Sequence, residues 1–228
     1  MDPFSISDVY LGANNMRCIN INPLPENYCS FDCIFCPLGR TKVKTEERFY
    51  FEETKRFLVE VEKVIKKERI EYVFIDPDGE ALANSEILDI IRLLKDNNIV
   101  VKLLCNGYLV NREGYIDVLN ECDEIIGELM VTTEEKFQKI LRPLEGYTLE
   151  EHISNMASFN KQYSGKFILD ITLLKDISDS DIDIEKLKEY IDIIKPDEFF
   201  LETPRGKFEK ALGVSEKKIN ELRKRLSK

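Results

Sequence analysis

The sequence predicts an α/β fold built from repeated strand–helix units. Short apolar runs alternate with amphipathic helical patterns along the whole chain, the pattern of βα units on a parallel sheet. The 228 residues are enough to bury roughly 70% of the unfolded surface, so a full core needs no disulfides. No internal repeat, low-complexity segment or long linker marks a boundary, and residues 1–228 are expected to form a single domain.

The first strand is read at Arg17 to Ile21, with a cysteine-rich loop after it. From Tyr50 to Lys67, apolar positions recur at intervals of three and four with charges between them, an amphipathic helix. A strand at Tyr72 to Ile75, a helix at Ser85 to Asn97 and a strand at Val100 to Cys105 follow. The next unit has a helix near Arg112 to Leu119 and a strand near Glu124 to Met130. The helical stretch beyond is split at "RPLEG", because Pro143 lacks an amide and Gly146 permits a turn. Thr148, with Glu151 three residues on, caps a helix running to about Gln162. The strand "KFILDITLL", an Asp- and Ser-rich link, a helix at Ile184 to Ile193, the strand "EFFLET" and a last helix from Ser215 to Leu226 complete the chain. Six such units form either an open doubly wound sheet or an incomplete barrel. In both, reactive loops leave the C-terminal ends of the strands, so the cysteine loop, "DPDGEALAN" and "NGYLV" should converge.

The 33 basic and 43 acidic side chains give a net charge of −10, which disfavours a broad nucleic-acid or anionic-membrane footprint. No apolar run is long enough to span a bilayer, so the expected compartment is the cytoplasm, with no membrane partner. Six cysteines make a poor disulfide framework, since Cys29, Cys33 and Cys36 crowd into eight residues. Those three, in "NYCSFDCIFCPLGRT", suit a metal or iron–sulfur centre; a structural zinc knot or a set of buried thiols would be the plainer role for them. Three ligands is the informative number, because a structural zinc site closes four positions whereas a four-iron cluster on three cysteines leaves one iron open. Cys18, Cys105 and Cys122 lie in or beside apolar runs and are read as core thiols.

CxxxCxxC after the first strand of a βα array resembles the radical S-adenosylmethionine (SAM) superfamily. "ININPLPENYCSFDCIFCPLGRT", "DGEALAN", "LLCNGYLV", "KILRPLEGYTLEEHI" and "FFLETPRG" stand in the order shown by the subgroup that includes the archaeal wyosine-type tRNA enzyme and its uncharacterised relatives. The resemblance implies a partial (β/α)6 barrel of TIM type, a single radical SAM core. It implies that Cys29, Cys33 and Cys36 ligate a [4Fe-4S] cluster whose fourth iron chelates SAM, and that reductive cleavage of SAM yields a 5′-deoxyadenosyl radical for hydrogen abstraction. Phe35 matches the aromatic position over adenine, and Gly79 with Glu80 matches the motif that receives the SAM amino group. Asp78 and Ala81 depart from that motif, which has a small or amide residue and a proline there. Asn106 and Gly107 match a polar corner near the cofactor, Glu128 a ribose contact, and Lys175, with Thr172, a contact to the SAM carboxylate.

The resemblance further implies a low-potential electron donor such as ferredoxin or flavodoxin, and a small-molecule, peptide or RNA substrate. Against tRNA-base modification stand the acidic balance, the modest length and the single cysteine, Cys18, before Cys29. A glycyl-radical activating role and a non-catalytic iron–sulfur or metal-binding role stay open beside it. Arg40, Lys42 and Lys44 form a basic strip after the cysteine loop, either solvated or facing an anionic partner, and Arg205 is expected near the same mouth. His152, the sole histidine, is read as exposed or helix-packing rather than as a base.

Overall fold

The computed structural model describes residues 3–226. Two short strands, β1 (Ser5–Ile6) and β2 (Tyr10–Leu11), pair antiparallel with β3 (Arg17–Asn22). Within the cysteine loop, β4 (Tyr28–Cys29) pairs in parallel with β5 (Val43–Lys44). The units then run α1 (Glu53–Glu68), β6 (Tyr72–Ile75), α2 (Ile87–Asp96), β7 (Val100–Cys105), α3 (Ile116–Asn120) and β8 (Glu124–Leu129). A short α4 (Glu134–Lys136) passes into a wide turn at Phe137–Leu141, followed by α5 (Leu149–Asn160), β9 (Lys166–Thr172), α6 (Asp181–Ile194), β10 (Glu198–Glu202), α7 (Glu209–Leu212) and α8 (Glu216–Leu226).

The six strands β3, β6, β7, β8, β9 and β10 pair in parallel in that order. A doubly wound sheet requires the order to reverse at a switch point. Here it never does, and right-handed crossovers that always advance in one direction place their helices on one face and curl the sheet into a barrel. Among the described residues no pairing returns β10 to β3, so the barrel is open on one side. The choice that spacing leaves unresolved is thereby made in favour of the partial barrel.

Strand alternation explains the layering. Val73, Ile75, Val101, Leu103, Ile125, Leu169 and Ile171 are buried on the outer face, where helices cover them. Phe57, Val61 and Ile65 of α1 and Ile87, Ile90, Ile91 and Leu94 of α2 supply matching stripes, each such side chain contributing roughly 1.5–3 kcal/mol by its burial. The inner face is mixed in kind: Leu104, Ile126 and Ile168 form an apolar row between Phe74, Lys102 and Glu124 below and Glu128, Asp170 and Phe200 nearer the C-terminal strand ends.

Local chemistry sets the boundaries. Helix α1 stops at Arg69, which adopts the left-handed conformation (φ 50°). Helix α6 begins three residues before the expected Ile184, because Ser180 and Asp183 form a reciprocal capping box. Helix α3 is shorter than expected, since Gly114 turns the chain (φ 79°) just before it. The break expected at "RPLEG" falls at Arg142 (φ 46°), and Thr148 accepts from the Glu151 amide as the N-cap of α5. The short strands β1, β2, β4 and β5 and helix α7 lie outside the sequence expectation.

Candidate functional site

Three backbone hydrogen bonds tie the cysteine loop to residues 140–144. The Asp32 and Ile34 amides donate to the carbonyls of Leu141 (2.9 Å) and Ile140 (3.0 Å), and the Leu144 amide donates to Ser30 (3.0 Å). The wide turn after α4 therefore serves as the loop's backing. Asp32, one of the spacer residues between Cys29 and Cys33, closes the loop from inside. Its carboxylate accepts from Arg40 Nε (2.9 Å) and the Thr41 amide (3.0 Å), while Thr41 Oγ1 donates to the Phe31 carbonyl (2.6 Å). These contacts hold the Asp32 carboxyl below the usual range despite its burial. The Phe31 ring meets Phe137 and His152 edge-on, each with centroids 5.7 Å away, anchoring the loop in the core.

The loop after β6 is joined to the cysteine segment just as directly. Tyr28 and Gly79 form a parallel bridge, and the Glu80 amide donates to the Tyr28 carbonyl at 2.7 Å. Gly79 has φ 139°, and a Cβ on it would lie 2.3 Å from Tyr28 O. The glycine thus permits two backbones to meet. Asn22 ties the same loops together, accepting from the Asp78 amide (2.9 Å) and donating to Asp78 Oδ2 (3.1 Å).

Asn106, at the end of β7, is the junction. Its amide donates to Glu80 Oε2 (2.9 Å), its Nδ2 donates to Ser30 Oγ (2.9 Å) and lies 3.9 Å from Cys29 Sγ. Its carbonyl lies 2.8 Å from His152 Nε2. A carbonyl only accepts, so Nε2 carries the proton and the buried Nδ1, which has no partner, is bare. Burial lowers the ring's pKa to about 4, keeping it neutral. His152 is therefore a buried, helix-packing residue and not an exposed one.

These elements surround a cavity of about 330 Å³ lined by Cys29, Cys33, Phe35, Cys36, Asp76, Asp78, Gly79, Asn106 and Glu128. All three motif cysteines face it. Burial, with Glu80 nearby, pushes the Cys29 thiol up to about 12, and burial raises Cys33 and Cys36 as well. Neutral thiols in such a place become thiolates only when a cationic centre arrives. The Asn27 Nδ2 on the same wall is buried without a partner among the described residues. Among the described residues no three His, Cys, Asp or Glu side chains already converge at ligating distance, so the loop presents its sulfurs without locking them together. The donor set, three soft sulfurs on one short loop facing one cavity, fits an iron–sulfur cluster.

The remaining expected residues separate into two groups. Phe35, Gly79, Asn106 and Glu128 share the cavity wall, and burial together with Asp170 and Glu80 pushes the Glu128 carboxyl up to about 8. Glu80 stands behind the wall, 2% exposed, with its oxygens accepting from the amides of Leu82 (3.3 Å) and Asn106. Burial pushes it up to about 7 against the pull of those amides. Lys175 is exposed beyond β9, its amide donating to Leu212, and does not line the cavity. Arg40 and Lys42 are engaged by Asp32 (2.6 Å) and Glu26 (2.8 Å), so the basic strip is largely paired. Arg205 is exposed and borders a different groove. Cys18, Cys105 and Cys122 are buried core thiols, as expected. Sequence reasoning missed Asp32, Ser30 and Asp170. A lone acid inside the apolar run "KFILDITLL" was the available signal for Asp170.

Comparison with known proteins agrees with this geometry. The profile of the Radical SAM superfamily matches residues 25–191. The chain belongs to the radical SAM superfamily. Members of this superfamily use a [4Fe-4S] cluster and SAM, together with a reductant and a substrate. The chain is 28% identical over 191 residues to the UPF0026 protein MJ1312 of Methanocaldococcus jannaschii, covering 82% of this chain and 60% of that relative's length. Among solved structures, TYW1 with a lysine-pyruvate adduct bound superposes with TM-score 0.69 at 18% identity, covering 92% of this chain and 72% of the other. The native anSMEcpe structure with bound AdoMet gives TM-score 0.63 at 18% identity, covering 90% and 58%. At these identities the structural matches establish the shared fold. No helix among the described residues is long and apolar enough to cross a membrane.

Proposed function

We propose that this chain is a radical SAM enzyme core in which Cys29, Cys33 and Cys36 hold a [4Fe-4S] cluster and the adjoining cavity takes SAM. The observation that carries the reading is the facing of all three motif cysteines, with Phe35, Asn106 and Glu128, onto one cavity at the C-terminal ends of the strands. Bound there, a reduced cluster and SAM would supply the radical chemistry of hydrogen abstraction from a substrate. Phe35 offers an apolar wall to adenine. Glu128 would accept from ribose hydroxyls, and Glu80, held behind the wall by the Leu82 and Asn106 amides, would be the carboxylate for the SAM ammonium. Asn106 keeps the cysteine loop and the Glu80 loop in register. The backing by Ile140, Leu141 and Leu144 limits water at the cluster side of the cavity. Electrons come from a low-potential donor of the ferredoxin or flavodoxin class.

The pairing of Arg40 and Lys42 reduces the positive charge beside the cysteine loop to Lys44 and Lys207, which supports a small-molecule or peptide substrate over RNA. Anaerobic reconstitution with iron and sulfide tests the reading. It predicts about four irons per chain and a spectrum that changes when SAM is added. Binding of zinc alone, or a cluster spectrum indifferent to SAM, would overturn it in favour of a non-catalytic metal-binding protein.

A further inference from the structure

The inner face of the open barrel sorts its charges by height. In its lower rows each carboxylate has a cation of the protein's own. Lys102 Nζ lies 3.8 Å from Glu124 and 5.5 Å from the centroid of the Phe74 ring, and Lys166 is paired with Glu198. Phe74, Lys102 and Glu124 are successive cross-strand partners on β6, β7 and β8. One ammonium is thus already cradled between an aromatic ring and a carboxylate.

Nearer the C-terminal ends a second acidic and aromatic row has no ion pair of its own among the described residues, Lys102 reaching Asp170 only as a more distant charge. Glu128, Asp170 and Phe200 are successive partners across β8, β9 and β10, on the same face. Phe200 is 40% exposed although it is a large apolar side chain, and it also borders the groove that Arg205 lines. Asp170 Oδ1 is buried with no hydrogen-bond partner, and among the described residues neither Asp170 nor Glu128 has a side-chain hydrogen bond or ion pair. A buried carboxylate oxygen without a donor is an unfavourable arrangement that persists only where something else supplies the donor. Glu128 places the row at the edge of the cysteine-lined cavity.

We propose that Asp170 and Phe200, with the Glu128 oxygen that ribose leaves free, form a subsite for a protonated amine or guanidinium carried by the substrate. Such a group offers N–H donors for charge-assisted bonds to the carboxylates and a positive charge for the ring face, whereas a carboxylate or phosphate would be repelled. Substrate class follows from this row: a cationic small molecule, or a peptide presenting a basic side chain. The assignment rests on the reading of the adjoining cavity as the SAM site.

The test uses cluster-reconstituted, SAM-loaded protein and four probes of similar length: butylammonium, butylguanidinium, 1-pentanol and pentanoate. Saturation-transfer NMR and calorimetric titration should show the two cations binding at least tenfold tighter than the neutral and anionic probes. Asp170→Asn and Phe200→Ala should each weaken cation binding roughly tenfold, the scale of one lost charged contact, while the exposed Glu145→Gln leaves it unchanged. Phe200→Ala, at an exposed position, keeps the test meaningful if Asp170→Asn fails to fold. Equal binding of cations and pentanol, or cation binding unaffected by either variant, overturns the proposal. Cluster content and 5′-deoxyadenosine release are measured on the same samples. Their loss in the unaltered protein refutes the cofactor reading, whereas their presence without cation preference refutes the amine subsite alone.

Discussion

Replacing Gly79 by alanine perturbs the site at the point where its two loops meet. The residue has φ 139°, a conformation available to glycine but strained by roughly 1–3 kcal/mol for any other residue. The added Cβ would also lie 2.3 Å from Tyr28 O and 3.0 Å from Tyr28 N, both backbone atoms that cannot rotate away. Relief requires parting the strands and losing the 2.7 Å bond from the Glu80 amide to Tyr28, worth about 1 kcal/mol. The sum is about 2–4 kcal/mol, a substantial part of the roughly 5–15 kcal/mol that stabilises a domain. Urea unfolding should therefore show a lowered midpoint with unchanged slope, and reconstituted Gly79→Ala should retain less iron. Gly146→Ala is the control, since Gly146 also has positive φ (86°) but nothing within 4 Å of its would-be Cβ. It should lose only the strain, without effect on iron. If Gly79→Ala stays within about 0.5 kcal/mol of the parent and binds iron normally, the proposed joining of the loops is wrong.

Two further outcomes follow from the buried groups. Glu80 and Asp170 titrate near 7 and Glu128 near 8, all above their unfolded values, so the stability they confer is complete at low pH and is lost as pH rises through those values. Urea unfolding of metal-free protein should show stability falling by about 1–3 kcal/mol from pH 6.5 to 8, where the unfolded imidazole of His152, titrating near 6.5 against about 4 in the fold, offsets only about 0.4 kcal/mol, with Glu128→Gln flattening the decline; a flat or rising profile in the parent contradicts the assignment. Asn106→Ala should destabilise the protein by roughly 2–4 kcal/mol, because it removes the side-chain bond to Ser30 and leaves a cavity at the junction. Thermal melts and iron content would check it, and a variant with unaltered melting and cluster retention would show that Asn106 is not the junction.

The six parallel strands were legible because alternation on a sheet covered by helices on one face leaves a regular apolar signal, clear at Tyr72–Ile75 and Val100–Cys105. The two-residue strands β1, β2, β4 and β5 were not, since so short a pairing is created by the partner strand and has no periodicity of its own. The start of α6 was hidden in an Asp- and Ser-rich stretch that reads as a linker, although Ser180 and Asp183 stand at capping distance. At the site, spacing exposed the three cysteines, whereas Asp32 acts through Arg40 and Thr41, residues that reach it only once the loop has folded back. His152 illustrates a signal present but underweighted: with Leu149, Ile153 and Met156 it continues the buried stripe of α5. The position of Glu80 behind the cavity wall depends on the Asn106 amide, a tertiary contact without sequence trace.

Cofactor turnover tests the central claim most directly. Reconstituted protein, reduced anaerobically with dithionite in the presence of SAM, should release 5′-deoxyadenosine, and Cys33→Ala should abolish the release. An intact, reduced cluster in the parent protein that liberates no 5′-deoxyadenosine from SAM would contradict the account.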